Sequence, residues 1–155
     1  MTLAMLLREE LTAVEWLQQL LQREYDVLKT RDPASLEQVV NEKQACADRL
    51  RKLMADRVDY LQAQGIAADA QGLAAYVDTL PVAERIGVDQ LWTALEKAAE
   101  QVRAQNEVNG AVIAASRNHV DRTLAILRGR DSLDFLYDQD TRKVFGGGGQ
   151  PIARA

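Results

Sequence analysis

Apolar residues recur at three- and four-residue intervals through three long stretches of the chain. The first stretch carries Leu3, Leu7, Leu11, Val14, Leu17, Leu21, Tyr25 and Leu28. This spacing puts them on one face of a helix, predicted over residues 2–30 with Thr2 as its cap. Arg31-Asp32-Pro33 then breaks the pattern. Asp32 is a favoured N-cap, and Pro33 suits the first position of a new helix, where a missing N–H does no harm. The second stripe runs through Leu36, Val39, Val40, Cys46, Leu50, Leu53, Met54, Val58 and Leu61 to Gly65, a natural helix-ending residue, so a helix is predicted over 33–64. The short connection predicts that these two helices lie antiparallel.

The pattern loosens from Ile66 to Gly87. Leu73, Tyr76, Val77 and Leu80 predict a short helix capped by Asp69 and closed before Pro81. A third long stripe follows through Leu91, Leu95, Val102, Val112, Ile113, Val120, Leu124 and Leu127, predicting a helix over 89–128 capped by Asp89. The fold class is all-α: an antiparallel bundle of three long helices with a short connecting helix. The bundle is expected to occupy residues 1–129, with residues 130–155 as a flexible C-terminal tail.

Composition narrows the functional classes. The chain has 155 residues and a 47% apolar content that is almost wholly aliphatic, with only 5% aromatics. This usage suits long helices and excludes a sheet of aromatic and β-branched alternation. Basic and acidic residues are interleaved at a net charge of −4, unlike the clustered cationic face that binds nucleic acid. Cys46 has no second cysteine to pair with, and no segment has the roughly 20 apolar residues needed to span a bilayer. The first residues reach Arg8, Glu9 and Glu10 too soon for a signal peptide. The expectation is a cytoplasmic protein without stable membrane insertion.

Several polar residues interrupt the stripes. Asn106, Asn109, Gly110, Ser116 and His119 fall on or beside the apolar face of the third long helix. A buried amide without partners costs ~1–3 kcal/mol, and glycine inside a helix costs about 1 kcal/mol more than alanine. These residues therefore serve either an intramolecular network and close helix approach, or contact with a partner. Lys43 and Arg57 occupy seam positions of the second helix. Either their stems pack while the charges reach water, or they pair with acids on a neighbouring helix and fix register. Trp92 reads as a core anchor and Cys46 as a small core residue. His119 lacks the Glu-x-x-His pairing of helical-bundle metal sites, and Gly146 to Gly149 lack the Lys-Ser/Thr of a phosphate loop. The sequence thus calls for no catalytic residue, cofactor or metal; the expectation is a protein that is not an enzyme.

The tail differs in kind. Leu133, Leu136 and Tyr137 fit one helical face, but Leu133, Phe135 and Tyr137 also fit a strand, and Val144 and Phe145 follow before a glycine run. Aromatics with no core to join are favoured interface anchors, and such a segment takes its shape from a partner.

These residues together resemble the FlgN family of flagellar export chaperones. The likeness rests on the Leu-rich first helix, the Asp32-Pro33 break, Leu36 to Leu50 with Lys43, and Arg57 before Leu61. It continues through Leu91-Trp92, Asn106-x-x-Asn109-Gly110, the Leu124 to Gly129 ending and Tyr137-x-x-Asp140. Thr141 departs from the family pattern, which often has glycine there. The resemblance implies binding to hook-associated proteins of the hook–filament junction, held in the cytoplasm and delivered to the type III export apparatus. It also implies that the tail binds cargo and that Tyr137 touches the cytoplasmic domain of the export gate. Without the resemblance, two further readings stand: a self-associating coiled coil, whose seams close on a second copy as a homodimer, or an adaptor for an unrelated helix.

Overall fold

The computed structural model describes residues 1–127, and all of its regular elements there are helices. They are α1 (Leu3–Thr30), α2 (Pro33–Ala63), α3 (Ala70–Asp78) and α4 (Val82–Leu127). The ends are set by the residues the sequence singled out. Thr2 accepts the Met5 N–H, Asp32 accepts those of Ala34 and Ser35, and Asp69 accepts that of Gly72. Pro33 sits in the first turn of α2. At the other end of α2, Gly65 adopts φ 74° while Ile66 and Gly65 donate to the carbonyls of Leu61 and Gln62. That pair of bonds satisfies carbonyls the helix itself leaves open, and only glycine takes this backbone without strain. Between α1 and α2 the same left-handed conformation falls on Arg31, at φ 56°.

The chain divides into two units, residues 1–110 and residues 111 onward. In the first, α1 and α2 run antiparallel, as their side-chain pairs show. Glu10 meets Arg57, Cys46 donates to the Ala13 carbonyl, and Arg23 and Glu24 meet Glu42 and Lys43. Leu3, Leu7 and Val14 of α1, Leu61 of α2, Leu73 and Val77 of α3, and Val88, Leu95 and Ala98 of α4 form one buried cluster. Fully burying a side chain of this size contributes roughly 1.5–3 kcal/mol, so this cluster is the main source of cohesion in the unit.

Three expectations need correction. The last helix begins at Val82, not at Asp89, which lies exposed inside it. Pro81 starts this helix: its carbonyl accepts the Arg85 N–H, and Glu84 places a negative charge in the positively polarised first turn. The start was hidden because Val82 and Ile86 face solvent and so break the apolar period. Second, Val40 and Met54 of the α2 stripe are exposed, at 42% and 45%. Third, Glu10 and Glu24 are buried in α1 beside Leu6 and Leu20, which the predicted stripe left out.

In the second unit, residues 111–127 continue α4, and their character changes. Ile113, Val120, Leu124 and Leu127 are exposed, whereas Leu95 and Ala98 of the same helix are buried in the first unit. Residues 128–155 lie outside the described residues, and with them the predicted helix end and the tail boundary at 129–130.

Candidate binding surface

Two buried carboxylates organise the first unit. Glu10, 2% exposed, accepts from Arg57 Nε at 2.6 Å, and the Arg57 guanidinium stacks 5.3 Å from the Trp92 ring centre. The Trp92 indole N–H donates to Glu96. Burial pushes the Glu10 carboxyl above its ordinary value, although the Arg57 hydrogen bond and charge pull it down. The ion pair is real in geometry, but desolvation outweighs it, as expected for charges taken out of water.

Glu24 lies in a second such cluster. It is 1% exposed and accepts from Lys43 Nζ at 3.0 Å and from Asn109 Nδ2 at 2.8 Å. The same Asn109 amide donates to the Leu21 carbonyl at 2.8 Å, and its oxygen accepts from Gln105. One asparagine on α4 thereby closes a network with α1 and α2. Lys43 and Arg57 pair with acids on a neighbouring helix, the register-fixing alternative of the two read from the sequence.

The predicted site residues separate accordingly. Asn109 is fully buried with its amide spent inside the protein, while Asn106 and Gly110 are exposed. A Cβ on Gly110 would meet no atom within 4 Å, so the expected close helix approach is absent there. Trp92 is partly buried against the core cluster, and Cys46 is buried. Leu133, Phe135, Leu136, Tyr137, Val144 and Phe145 lie outside the described residues.

Sequence reasoning missed the exposure of the late α4 stripe. Ile113, Val120, Leu124 and Leu127 follow a seven-, four- and three-residue spacing along one face, at 38%, 53%, 40% and 76% exposed. An apolar helix stripe left in water is a candidate surface for another helix. Nothing in the spacing itself distinguishes a stripe that is covered from one that is not. Among the described residues no group of three or more His, Cys, Asp or Glu is placed to hold a metal, and no helix is long and apolar enough to cross a membrane.

These features define an all-α protein with polar networks fixing helix register and an apolar stripe presented on its last helix. Residues 1–143 match the FlgN protein family, and the chain belongs to it. The fold is also similar to the crystal structure of a Pseudomonas aeruginosa protein bearing the name flagella synthesis protein FlgN. The two are 25% identical with a TM-score of 0.63, over 70% of this chain and 83% of that one. No protein of curated function matches the chain.

Proposed function

We propose that this protein is a cytoplasmic flagellar export chaperone, and not an enzyme. In this reading it binds hook-associated proteins of the hook–filament junction, prevents their premature assembly and delivers them to the type III export apparatus. The observation that carries the reading is the family match, which extends through residue 143 and so takes in Leu133 to Tyr137. The scaffold in this account is an antiparallel bundle of the three long helices.

Its physical logic follows from the two candidate surfaces. Junction proteins must present apolar helical segments for later assembly, and such segments aggregate unless covered. The exposed stripe from Ile113 to Leu127 offers complementary apolar area, and Leu133, Phe135, Leu136, Tyr137, Val144 and Phe145 would add aromatic anchors. A tail that orders only on binding surrenders part of the interaction energy to that ordering, which keeps affinity modest and release feasible. Tyr137 would also meet the cytoplasmic domain of the export gate. Asn106 and Gly110, exposed and just ahead of the stripe in sequence, would border the contact.

The test is calorimetry of the full chain and of a chain ending at Gly129 against a purified junction protein. The truncated chain should keep its helicity and lose cargo binding, and Tyr137→Ala should weaken gate docking more than cargo binding. Full affinity after truncation would move the site away from the tail. A helical signal that rises with concentration, without any cargo binding, would favour the self-associating alternative instead.

A further inference from the structure

The seams of the first unit are built differently. The backbones of α1 and α2 repeatedly come within 8 Å of each other, whereas α4, up to Gly110, keeps almost everywhere beyond that distance from α1. Side chains span this wider gap, and along α4 their character changes at Val102. Ahead of it, Val88, Leu95 and Ala98 join the buried cluster, and Leu91, Trp92 and Val102 pack against it. After it, Ala104 and Val108 are exposed, and between Val102 and Gly110 only Asn109 is buried among the described residues. A groove of about 480 Å³ lies there between the two helices, with Gln18, Gln19 and Gln22 on the α1 side and Gln101, Gln105 and Val108 on the α4 side. Water serves glutamine amides as well as a neighbouring helix does, so this part of the seam gains little by closing.

The same stretch keeps its helix without help from a neighbour. Arg103, on the solvent side, pairs with Glu100 one turn before it and with Glu107 one turn after, the spacing that supports an isolated helix. What ties the stretch to α1 is Asn109, whose amide donates to the Leu21 carbonyl and to Glu24, each at 2.8 Å. If α4 lifts, water reaches both acceptors and Lys43 still holds Glu24, so opening leaves no buried group without a partner.

We propose that residues 103–110 are a strap that bends off α1 as an intact helix, with Asn109 as the latch that closes it. Val102 and the cluster ahead of it are the fixed end. Opening uncovers the turn of α1 that carries Leu21 and Glu24, and the strap leads without a break in α4 into the stripe from Ile113 to Leu127. The device assumes nothing about cargo, so it stands or falls separately from the proposed function.

The test is NMR of the full chain. The side-chain amide protons of Asn109 should exchange with water about ten- to a thousandfold more slowly than those of exposed Asn106, the protection given by an open state populated at about 0.1–10%. The backbone amide of Leu7, in the buried cluster, should be protected orders of magnitude more, since it exchanges through global unfolding. Ala104→Leu adds apolar volume to the groove and should raise Asn109 protection by about threefold or more. Asn109→Ala should raise the open population about tenfold, read as relaxation dispersion at the Val108 methyls, while the Leu7 and Leu61 methyls stay silent. If Asn109→Ala does not fold, the exchange rates of wild type and Ala104→Leu decide alone. Asn109 protected as strongly as Leu7 would overturn the proposal, because α4 would then leave α1 only on global unfolding. So would dispersion in Asn109→Ala spread equally over Val108, Leu7 and Leu61, or unaltered Asn109 protection in Ala104→Leu.

Discussion

Lys43→Met isolates the energetics of the buried network on α1. Glu24 is 1% exposed and has two donors, Lys43 Nζ at 3.0 Å and Asn109 Nδ2 at 2.8 Å. At an effective dielectric near 20, unit charges about 3 Å apart attract by roughly 5–6 kcal/mol, most of it offset by desolvation. Removing one partner of a buried pair typically costs about 3–5 kcal/mol, because the other charge is left uncompensated. Lys43 is 30% exposed, so water can partly replace its ammonium, and the expected loss falls to about 2–3 kcal/mol. Glu24→Gln should cost only about 1 kcal/mol, since Lys43 can turn to solvent and the substituted amide oxygen still accepts from Asn109. The double variant should lose no more than about 1 kcal/mol relative to wild type, giving a coupling energy of roughly 2–4 kcal/mol. Urea unfolding followed by far-UV circular dichroism measures each term. A loss below about 0.5 kcal/mol for Lys43→Met, or strictly additive effects, would refute the network as a stabilising register device.

Three other perturbations test separate parts of the structure. Gly72→Ala should lower stability by a few kcal/mol although helix propensity alone favours alanine, because the new Cβ would collide with the Ala67 carbonyl; thermal melting decides. Arg31→Gly should raise stability by about 1 kcal/mol in the same assay, by relieving a left-handed backbone on a residue with a Cβ. The Glu10 carboxyl titrates above its unfolded value of 4.5, so its contribution to stability is present below 4.5 and lost as pH rises through the raised value. Wild type should therefore lose stability relative to Glu10→Gln as pH rises through that window, and a difference of the opposite slope would show that the Arg57 pairing dominates.

Helix ends were legible because each depends on a few adjacent residues: the Asp32-Pro33 start, the Gly65 stop and the Asp69 cap all stand where local chemistry puts them. The start of α4 was not, because apolar periodicity assumes a covered face and Val82 and Ile86 lie on an open one. Lys43 and Arg57 were visible as charges on a seam, yet their partners were passed over. A signal was present: Glu10 and Glu24 have the same fourteen-residue separation as Lys43 and Arg57, and antiparallel helices bring both pairs into register together. Asn109 announced itself as polar on an apolar face, but only three-dimensional placement shows its amide reaching Leu21 and Glu24. The exposure of Ile113, Val120 and Leu124 was illegible for the opposite reason, since an apolar period does not report whether a stripe is covered.

On the proposed function, this chain captures hook-associated junction proteins. Isothermal titration of the full-length protein with a purified junction protein tests it most directly. A saturable complex is expected, one that weakens when Ile113, Val120 and Leu124 are replaced together by serine and is lost when residues 130–155 are removed. Absence of heat and of co-elution at concentrations well above the micromolar range would contradict it.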